Sequence, residues 1–198
     1  NTDYENLEII FVDNGSTDGT FEHVVKYYSH PKIILKRLEE NAGFTGGNNY
    51  GVIFAKGEFL LFISIDVVLE KDTLKKLLLN YDRNKHAIVG PVVINTSEEN
   101  PNSETLDHEI KYLAIDLWGY PALSTQGISF YIEGCVFLIE KEKFKKLRGF
   151  DEGLVTYAED VDLSWRAWLF GYENIMVKDA IAYHYGGSSS VNYGKYDK

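Results

Sequence analysis

Three separate groups of acidic residues have the types and positions for chemistry in this 198-residue chain. Asp13 and Asp66 each follow a short apolar run, whereas Glu159, Asp160 and Asp162 crowd into four consecutive positions. Carboxylates bind divalent cations and accept protons from hydroxyl groups. In open α/β sheets, ligands bind beyond the carboxyl ends of the strands. The sequence therefore predicts one acidic crevice at a sheet edge, with Asp13 and Asp66 in its wall.

Two apolar runs predict the strands that position Asp13 and Asp66. The run before Asp66, 58–65, does not alternate apolar with polar residues, which favours an interior parallel strand covered on both faces. The residues before that run complete a βαβαβ pattern. Their sequence predicts, in order, a strand at 7–13, a helix at 21–28, a strand at 33–38, a glycine-rich loop at 40–49 and a helix at about 48–55, which leads to the strand at 58–65. Glycines in that loop permit a ligand to approach backbone N–H groups.

The second half of the chain predicts the elements that carry the remaining candidates. A strand at 87–94 is interrupted by Gly90-Pro91, which places it near an edge or at a bend. A helix over 157–169 buries a stripe formed by Val161, Trp165, Trp168 and Leu169. The three carboxylates in its first turn complement the helix dipole or act in catalysis, and Asp162 can pair with Arg166. His184 follows a last strand and is either structural or a metal ligand.

Composition limits the partners and the location. A net charge of −10 argues against a nucleic-acid surface, and it means that a phosphate-bearing ligand needs a bridging cation. One cysteine cannot form an intrachain disulfide, so nothing indicates an oxidising compartment. The apolar runs are of strand length, which predicts at most peripheral membrane contact. We expect a single domain over 1–198, in the cytoplasm or at the inner face of the membrane.

The order of the motifs is more informative than any one of them. The sequence resembles the family 2 glycosyltransferases, and among them the rhamnosyltransferase and O-antigen glycosyltransferase types. The motifs that carry the resemblance cover most of the chain: 11–20 (FVDNGSTDGT), 41–51 (NAGFTGGNNYG), Asp66, Gly90-Pro91, 133–135 (EGC), 149–152 (GFDE), 157–163 (YAEDVDL) with Arg166, Gly171-Tyr172, and His184 near Gly187 and Ser189.

The resemblance implies a GT-A fold: a Rossmann-like α/β nucleotide-diphospho-sugar transferase with a mostly parallel sheet flanked by helices. It also implies that the first strand and helix of that fold are absent from this chain, which is then N-terminally truncated. The activity implied is transfer of a sugar, with inversion, from a UDP- or dTDP-sugar to a glycan or lipid-linked acceptor hydroxyl in cell-surface polysaccharide synthesis.

The resemblance also assigns roles to residues. Asp160 is the general base, and Glu159 orients or tunes it. Asp66 holds Mg²⁺ or Mn²⁺ on the donor diphosphate, and His184 is a further metal ligand. The donor is bound by Asp13, Asn14, Ser16, Asn41, Gly43, Gly47, Asn48 and Asp66.

Some residues depart from the family pattern or leave alternatives open. Ser64 stands two residues before Asp66, where the family usually has Asp or Asn, and no Gln-x-x-Arg-Trp sequence follows Asp160, which favours a single-addition enzyme. The alternatives are a non-catalytic nucleotide-sugar or glycan-binding module and a nucleotidyltransferase. The loop 112–126 is the expected site of acceptor specificity.

Overall fold

The computed structural model describes residues 2–95, 113–115, 121–123, 128–154 and 157–185. The strands are β1 (Ile9–Asp13), β2 (Ile33–Arg37), β3 (Phe59–Ile63), β4 (Val67–Leu69), β5 (His86–Asn95), β6 (Leu113–Ile115), β7 (Pro121–Leu123), β8 (Ile128–Ser129), β9 (Val136–Glu140) and β10 (Glu173–His184). The helices are α1 (Thr20–Tyr27), α2 (Gly43–Val52), α3 (Thr73–Leu79), α4 (Lys141–Lys146) and α5 (Glu159–Leu169). Helices and strands alternate through the first part of the chain, as expected for the α/β class.

The main sheet is mixed rather than mostly parallel. Its order is β3-β9-β5-β10-β4, with β8 also pairing with β10. Among the described strands of this sheet, β5 and β10 are the one parallel hydrogen-bonded pair, because β9 lies antiparallel between β3 and β5, and β4 and β8 are antiparallel to β10. The apolar run that forms β9 carries no sequence signal for its direction, and short apolar runs leave the topology undetermined.

Among the described residues, the strand before Asp66 lies at an edge of the main sheet, which differs from its predicted interior position. Within the described residues, β3 pairs with β9 along one edge only. Leu60 and Phe62 are buried, while Ile63 is 46% exposed. The strand therefore buries one face well, and its other edge and the end near Asp66 are open.

A cleft separates β3 from a second sheet. β1 and β2 form a parallel pair that has no hydrogen-bonded strand in common with the main sheet among the described residues. The space between the sheets is about 2900 Å³, and its inner walls carry apolar side chains of β1, β3 and α3, including Phe11, Phe59, Leu61 and Leu74. The predicted βαβαβ pattern therefore forms its elements but leaves β1 and β3 apart.

The two sheets share a core at the other side of β1. Phe150 packs against Phe44 of α2, with ring centroids 5.6 Å apart, and against Phe62 of β3 at 5.2 Å. The Asn49 amide joins the same region, because its Nδ2 donates to the Phe150 carbonyl at 2.9 Å and its Oδ1 accepts from the Phe150 N–H at 3.0 Å. Helix α2 is thereby held against the turn that follows α4.

The two glycine-containing segments differ from expectation. The predicted loop 40–49 is largely helix, because α2 begins at Gly43, which adopts a positive φ of 71°. Strand β5 runs through Gly90-Pro91 without a break and lies in the middle of the main sheet, not near an edge. A Cβ on Gly90 would come within 2.2 Å of Ile132 Cγ2, so this glycine lets a neighbouring segment pack on the strand.

Helix α5 presents to the core a different face from the one predicted. Leu163, Ser164 and Ala167 are buried, whereas Trp165, Trp168 and Leu169 are between 49% and 73% exposed. The expected buried stripe is therefore wrong. The helix has two apolar faces, and periodicity identifies apolar faces without saying which one meets the core.

Other expectations fall partly outside the described residues. The loop 112–126 contributes the antiparallel pair β6 and β7, and its remainder lies outside them, as do Gly187 and Ser189. Throughout the described residues, every helix is too short or too polar to cross a bilayer.

Candidate functional site

The residues singled out from the sequence line one cleft, the space between the two sheets. Its polar part contains Asp13 at the end of β1 and Asn14 directly after it. It also contains Asp66 after β3, Asp160 at the start of α5 and His184 at the end of β10. The remaining predicted site residues also line it: Ser16, Asn41, Gly43, Gly47, Asn48 and Glu159. Three acids that are far apart in the sequence thus face the same space.

Asp13 ends β1 as a buried carboxylate. It is 2% exposed, and its register partner across the parallel pair is Arg37. Arg37 Nε lies 3.1 Å from Asp13 Oδ2 without the geometry of a hydrogen bond, so among the described residues no donor satisfies that oxygen. A buried polar atom without a donor is costly unless a ligand supplies one. Asp13 is therefore suited to accept an N–H from a bound base.

Asn14 and Asn41 organise the wall beside Asp13. Asn14 Nδ2 donates to Asn41 Oδ1 and to the Gly43 carbonyl, both at 2.9 Å, and Asn14 Oδ1 accepts from the Ala42 N–H at 2.9 Å. Asn41 Oδ1 also accepts from the Gly43 N–H at 2.9 Å. These two side chains join the end of β1 to the start of α2, so their contacts within the protein are structural.

Glycine at position 47 leaves room for that network. A Cβ there would lie 3.3 Å from Asn14 Nδ2, closer than nearly all real Cβ contacts. Asn48 Nδ2 is held by the Phe44 carbonyl at 2.8 Å. The start of α2 thus forms a compact wall that lets a ligand approach the backbone near Asp13.

Asp66 and His184 form the pair that faces the middle of the cleft. His184 Nε2 lies 3.5 Å from Asp66 Oδ2, and His184 Nδ1 lies 3.0 Å from Asn95 Oδ1. The backbone supports the same arrangement, because the Tyr185 N–H donates to the Asp66 carbonyl at 2.9 Å. Asn95 therefore orients the imidazole so that Nε2 points toward Asp66, in the manner of an outer-shell partner of a metal ligand.

The Asp66 and His184 pair fits a divalent cation only together with a ligand. Within the described residues, no three His, Cys, Asp or Glu side chains are gathered so as to hold a metal ion. Mg²⁺ and Mn²⁺ favour oxygen ligands, and Mg²⁺ is commonly held by one or two carboxylates together with substrate phosphates. One carboxylate with one imidazole beside it matches a site in which substrate phosphates supply the remaining metal ligands.

Asp160 is held at the start of α5 by two backbone donors. Its Oδ2 accepts from the Gly134 N–H at 2.9 Å and its Oδ1 from the Val161 N–H at 2.8 Å. The two residues before the helix, Tyr157 and Ala158, adopt positive φ angles of 70° and 65°. Non-glycine residues rarely adopt this conformation, and strain of this kind concentrates at functional sites. The carboxylate position is thus fixed by the backbone on both sides.

A short run of contacts connects Asp160 with Asp66. The Gly134 N–H binds Asp160, and the neighbouring Cys135 carbonyl accepts from the Ser64 N–H at 2.8 Å. Ser64 is two residues before Asp66, so both acids are anchored to adjacent residues of the segment that leads into β9. This segment links Asp160, which the sequence predicts as the general base, with Asp66, which it predicts as the metal ligand.

Burial raises the pKa of two carboxyl groups and one thiol that line the cleft near Asp160. Burial raises the pKa of Glu159, and the nearby Asp160 charge adds to the effect. Burial likewise raises the pKa of Glu133, with a further contribution from Asp160 that His184 opposes. The pKa of Cys135 is raised to about 12 by burial and by the charges of Glu133, Asp66 and Asp160, so this thiol is not a nucleophile at neutral pH.

Glu159 resembles Asp13 in having an oxygen without a partner. The residue is 8% exposed, and among the described residues nothing donates to its Oε2. A carboxyl group with a raised pKa can satisfy itself by carrying a proton and donating it. Glu159 is therefore placed to orient Asp160 or a ligand hydroxyl through this oxygen.

Sequence reasoning missed three residues of this site. Arg37 holds Asp13 and also donates to the Ser16 carbonyl at 2.8 Å, Glu133 adds a carboxyl group beside Asp160, and Asn95 orients His184. The parallel register that pairs opposite charges at the ends of β1 and β2 could have identified Arg37. Nothing in the sequence near Asn95 indicates its partner, because His184 is 89 residues away.

With this geometry in hand, comparisons with known proteins identify the family. The model of the family described as glycosyl transferase family 2 matches residues 1–148, about three quarters of the chain. The chain belongs to glycosyl transferase family 2. Membership confirms the resemblance drawn from the motifs, while its rhamnosyltransferase and O-antigen subtype stays a prediction.

Curated relatives of this family 2 chain include bacterial polysaccharide synthases. It is 27% identical over 174 residues to the poly-beta-1,6-N-acetyl-D-glucosamine synthase of Staphylococcus epidermidis, which covers 86% of this chain and 41% of the relative. It is 26% identical over 172 residues to the synthase of the same name from Staphylococcus aureus strain COL, covering 85% and 40%. The chain thus spans about two fifths of the length of these relatives.

Solved structures share the fold. A mannosyltransferase from Pyrobaculum calidifontis, in complex with GDP-Man and Mn²⁺, gives a TM-score of 0.75 at 20% identity and covers 96% of this chain and 51% of its own. GalNAc-T7 with UDP, GalNAc and Mn²⁺ gives 0.71 at 19%, covering 90% and 38%. S. aureus TarS with UDP-GlcNAc gives 0.67 at 22%, covering 94% and 52%. The predicted nucleotide-sugar transferase fold is therefore confirmed.

Proposed function

We propose that this chain transfers a sugar, with inversion, from a UDP- or dTDP-sugar to the hydroxyl of a glycan or lipid-linked acceptor in cell-surface polysaccharide synthesis, on the cytoplasmic side. The observation that carries the proposal is the common position of Asp13, Asp66 and Asp160 around one cleft. Asp160 is anchored to Gly134, and Asp66 is anchored to Cys135 through Ser64. Such a site has separate places for the nucleobase, the diphosphate and the attacking hydroxyl.

The nucleoside lies at the Asp13 end of the cleft in this proposal. The buried Asp13 oxygen accepts the imide N–H of uracil or thymine, which both bases carry. Arg37 and Glu22 fix the carboxylate from behind, because Arg37 Nη1 also donates to Glu22 Oε1 at 2.9 Å. The start of α2 contributes the adjacent wall, where Gly43 and Gly47 allow the close approach of the nucleoside.

The diphosphate lies near Asp66 and His184. These two residues would hold Mg²⁺ or Mn²⁺, and the bound ion would supply Lewis-acid stabilisation of the charge that develops on the leaving diphosphate. Asn95 keeps His184 Nε2 directed to that position. The two structural neighbours whose descriptions contain Mn²⁺ support a divalent cation in this fold.

Asp160 accepts the proton from the acceptor hydroxyl as it attacks the anomeric carbon. Each of its oxygens already accepts one backbone N–H and has remaining lone pairs. One base and a direct displacement are sufficient for inversion, so no protein nucleophile is required, and the high pKa of Cys135 agrees with that. Glu159, whose pKa is raised by burial, orients the acceptor or the Asp160 carboxylate.

UDP-N-acetylglucosamine is the first donor to test. The relatives are named for a polymer of N-acetylglucosamine, and the TarS neighbour is described with UDP-GlcNAc. Specificity for the sugar and for the acceptor depends on loops that differ among relatives.

A donor panel tests the proposal. Purified protein is incubated with UDP- and dTDP-sugars, with Mn²⁺ or with a chelator, and release of UDP or dTDP is measured with and without glycan acceptors. We expect metal-dependent release from at least one donor, and we expect the Asp160→Asn variant to bind that donor without releasing the nucleotide. Calorimetry on the same donors distinguishes an enzyme from a non-catalytic binding module. Binding without turnover by the wild type would identify a nucleotide-sugar-binding module.

A further inference from the structure

The outward face of α5 is apolar. Val161, Trp165, Trp168 and Leu169 are spaced i, i+4, i+7 and i+8, so they lie along one side of the helix, and we refer to them as the outer stripe. The opposite side, with Leu163 and Ala167, is fully buried against the core. Trp165 is 49% exposed, Trp168 54% and Leu169 73%. About half or more of each of these three side chains is therefore exposed, whereas Val161 is only partly exposed.

Phe170 follows Leu169 as the residue that caps the helix, about 100° further round its axis, so it borders the outer stripe and is not in line with it. It is 51% exposed, and Trp165 at the other end rests on the buried Phe130, with ring centroids 5.2 Å apart. The outer stripe and Phe170, together called the ridge, thus place four exposed apolar side chains along and at the end of α5, and Trp165 is fixed from beneath. Scattered single apolar residues are normal on protein surfaces, whereas this is a group.

The size of the ridge argues against another protein as the partner. Aromatic side chains bury about 150–250 Å² each, so these three half-exposed aromatic residues and one leucine offer roughly 400 Å². A stable protein interface needs about 800 Å² per partner. A lipid surface requires no such complementary area, because a few inserted aromatic and aliphatic side chains are sufficient to bind an interface.

Cations lie beside the ridge although the chain as a whole is acidic. Lys146 Nζ is 5.4 Å from the Phe170 ring centroid and donates to the Tyr172 hydroxyl at 2.8 Å. Lys145 and Arg148 are exposed in the same turn of chain. The acid that borders the stripe, Asp162, is neutralised by Arg166, whose Nε donates to Asp162 Oδ2 at 2.9 Å. Lys145 is paired with Glu142 at 2.8 Å, so Lys146 and Arg148 are the exposed cations that leave positive charge near this end of α5, in a chain whose net charge is −10.

We propose that the outer stripe and Phe170 form a docking surface for an anionic lipid bilayer. Tryptophan favours the membrane interface, where its ring lies among acyl chains and its N–H among headgroups. Lys146 and its neighbours attract anionic headgroups while Leu169 and Phe170 insert. The docking leaves α5 lying along the membrane rather than crossing it.

The position of the surface relative to the site gives docking a use. Val161 follows Asp160 directly, and an 11-residue helix is about 16 Å long at 1.5 Å per residue. The Asp160 carboxylate would therefore stay within about 16 Å of the bilayer surface. A lipid-linked acceptor hydroxyl could reach it while its chain remains in the membrane.

Vesicle binding tests the docking surface without donor or metal, so its outcome is independent of the proposed function. The protein is mixed with phosphatidylcholine vesicles with or without phosphatidylglycerol, and the bound fraction is measured by flotation, together with the tryptophan emission wavelength. We expect binding to the anionic vesicles, a blue shift of the emission, and weakening at high salt.

Two variants and a matched control locate the contact. Leu169→Glu should weaken binding to anionic vesicles by about tenfold or more, and Lys146→Glu should weaken it and reduce its salt dependence. Leu79→Glu changes an equally exposed leucine, 84% exposed at the end of α3, and should bind as the wild type does. Thermal melting checks that all three variants remain folded.

Three results would overturn the proposal. The first is no binding to anionic vesicles, and the second is an equal loss with Leu79→Glu and Leu169→Glu. The third is a dimer, detected by light scattering, that Leu169→Glu dissociates, which would assign the ridge to a second copy of the chain.

Discussion

Replacing Asp160 with asparagine is the sharpest test of the site. The substitution keeps the shape of the side chain but exchanges one acceptor oxygen for an NH₂ group, which cannot accept. Because the Gly134 and Val161 N–H groups each donate to a different oxygen of Asp160, one of them loses its acceptor. Both hydrogen bonds are part-buried, so we expect the free energy of unfolding to fall by about 1 kcal/mol, the net value of one hydrogen bond.

The effect on the rate should be larger than the effect on stability. Loss of a general base lowers kcat by about 10²–10⁴-fold, which corresponds to about 3–5 kcal/mol of transition-state stabilisation. Affinity for UDP should change by less than about threefold, because the base acts on the acceptor and an interaction made only in the transition state does not alter donor binding.

The assay combines steady-state turnover of the active donor with calorimetric binding of UDP and Mn²⁺. Asp162→Asn is the matched control, because it removes the same charge from the same helical turn, where Asp162 pairs with Arg166. It should leave kcat within about threefold of the wild type. A similar fall in kcat for both variants, or an equal loss of UDP affinity and rate in Asp160→Asn, would refute Asp160 as the base.

Three further predictions follow from the same structure. Asp66→Ala should abolish the Mn²⁺-dependent part of UDP affinity and leave binding in chelator unchanged, and unaltered affinity by calorimetry would remove Asp66 from the metal site. Gly90→Ala should lower the free energy of unfolding by about 1–3 kcal/mol in chemical denaturation, because the added Cβ meets Ile132 Cγ2 at 2.2 Å, and an unchanged midpoint would contradict that packing. Glu159→Gln should raise the free energy of unfolding at neutral pH, because the folded state raises the pKa of Glu159 above its usual 4.5 and so penalises its ionisation. That gain should disappear below about pH 4.5, where the wild-type carboxyl group is protonated in both states, and a gain that persists there would exclude this origin.

The sequence was sufficient to predict several strands and helices of the fold but not how the strands pair, and it missed the start of α2 at Gly43 and the short strand β4. Apolar runs ending in Asp13 and before Asp66 located β1 and β3, and helical spacing located α1 and α5. The direction of β9 and the edge position of β3 depend on contacts between distant residues, which local pattern does not encode. The same limit explains α5, where Leu163 and Ala167, not Trp165 and Trp168, meet the core.

The candidate site was predictable as far as its residues matched family motifs. Those motifs identified Asp13, Asp66, Asp160 and His184, which the structure places around one cleft. They gave no information on the supports: Arg37 behind Asp13, or Asn95 beside His184. Such partners are fixed by tertiary geometry, so they become visible only when the strands that carry them are placed next to each other.

The open edges of β1 and β3 bring substrate access and self-association into competition. Within the described residues each strand has a hydrogen-bonded neighbour on one side only, and both border the cleft. Unpaired strand edges are templates for any extended polypeptide, including one from a second molecule. A peptide captured there would lie in the cleft that Asp13 and Asp66 border, so binding of an extended peptide should compete with binding of the nucleotide.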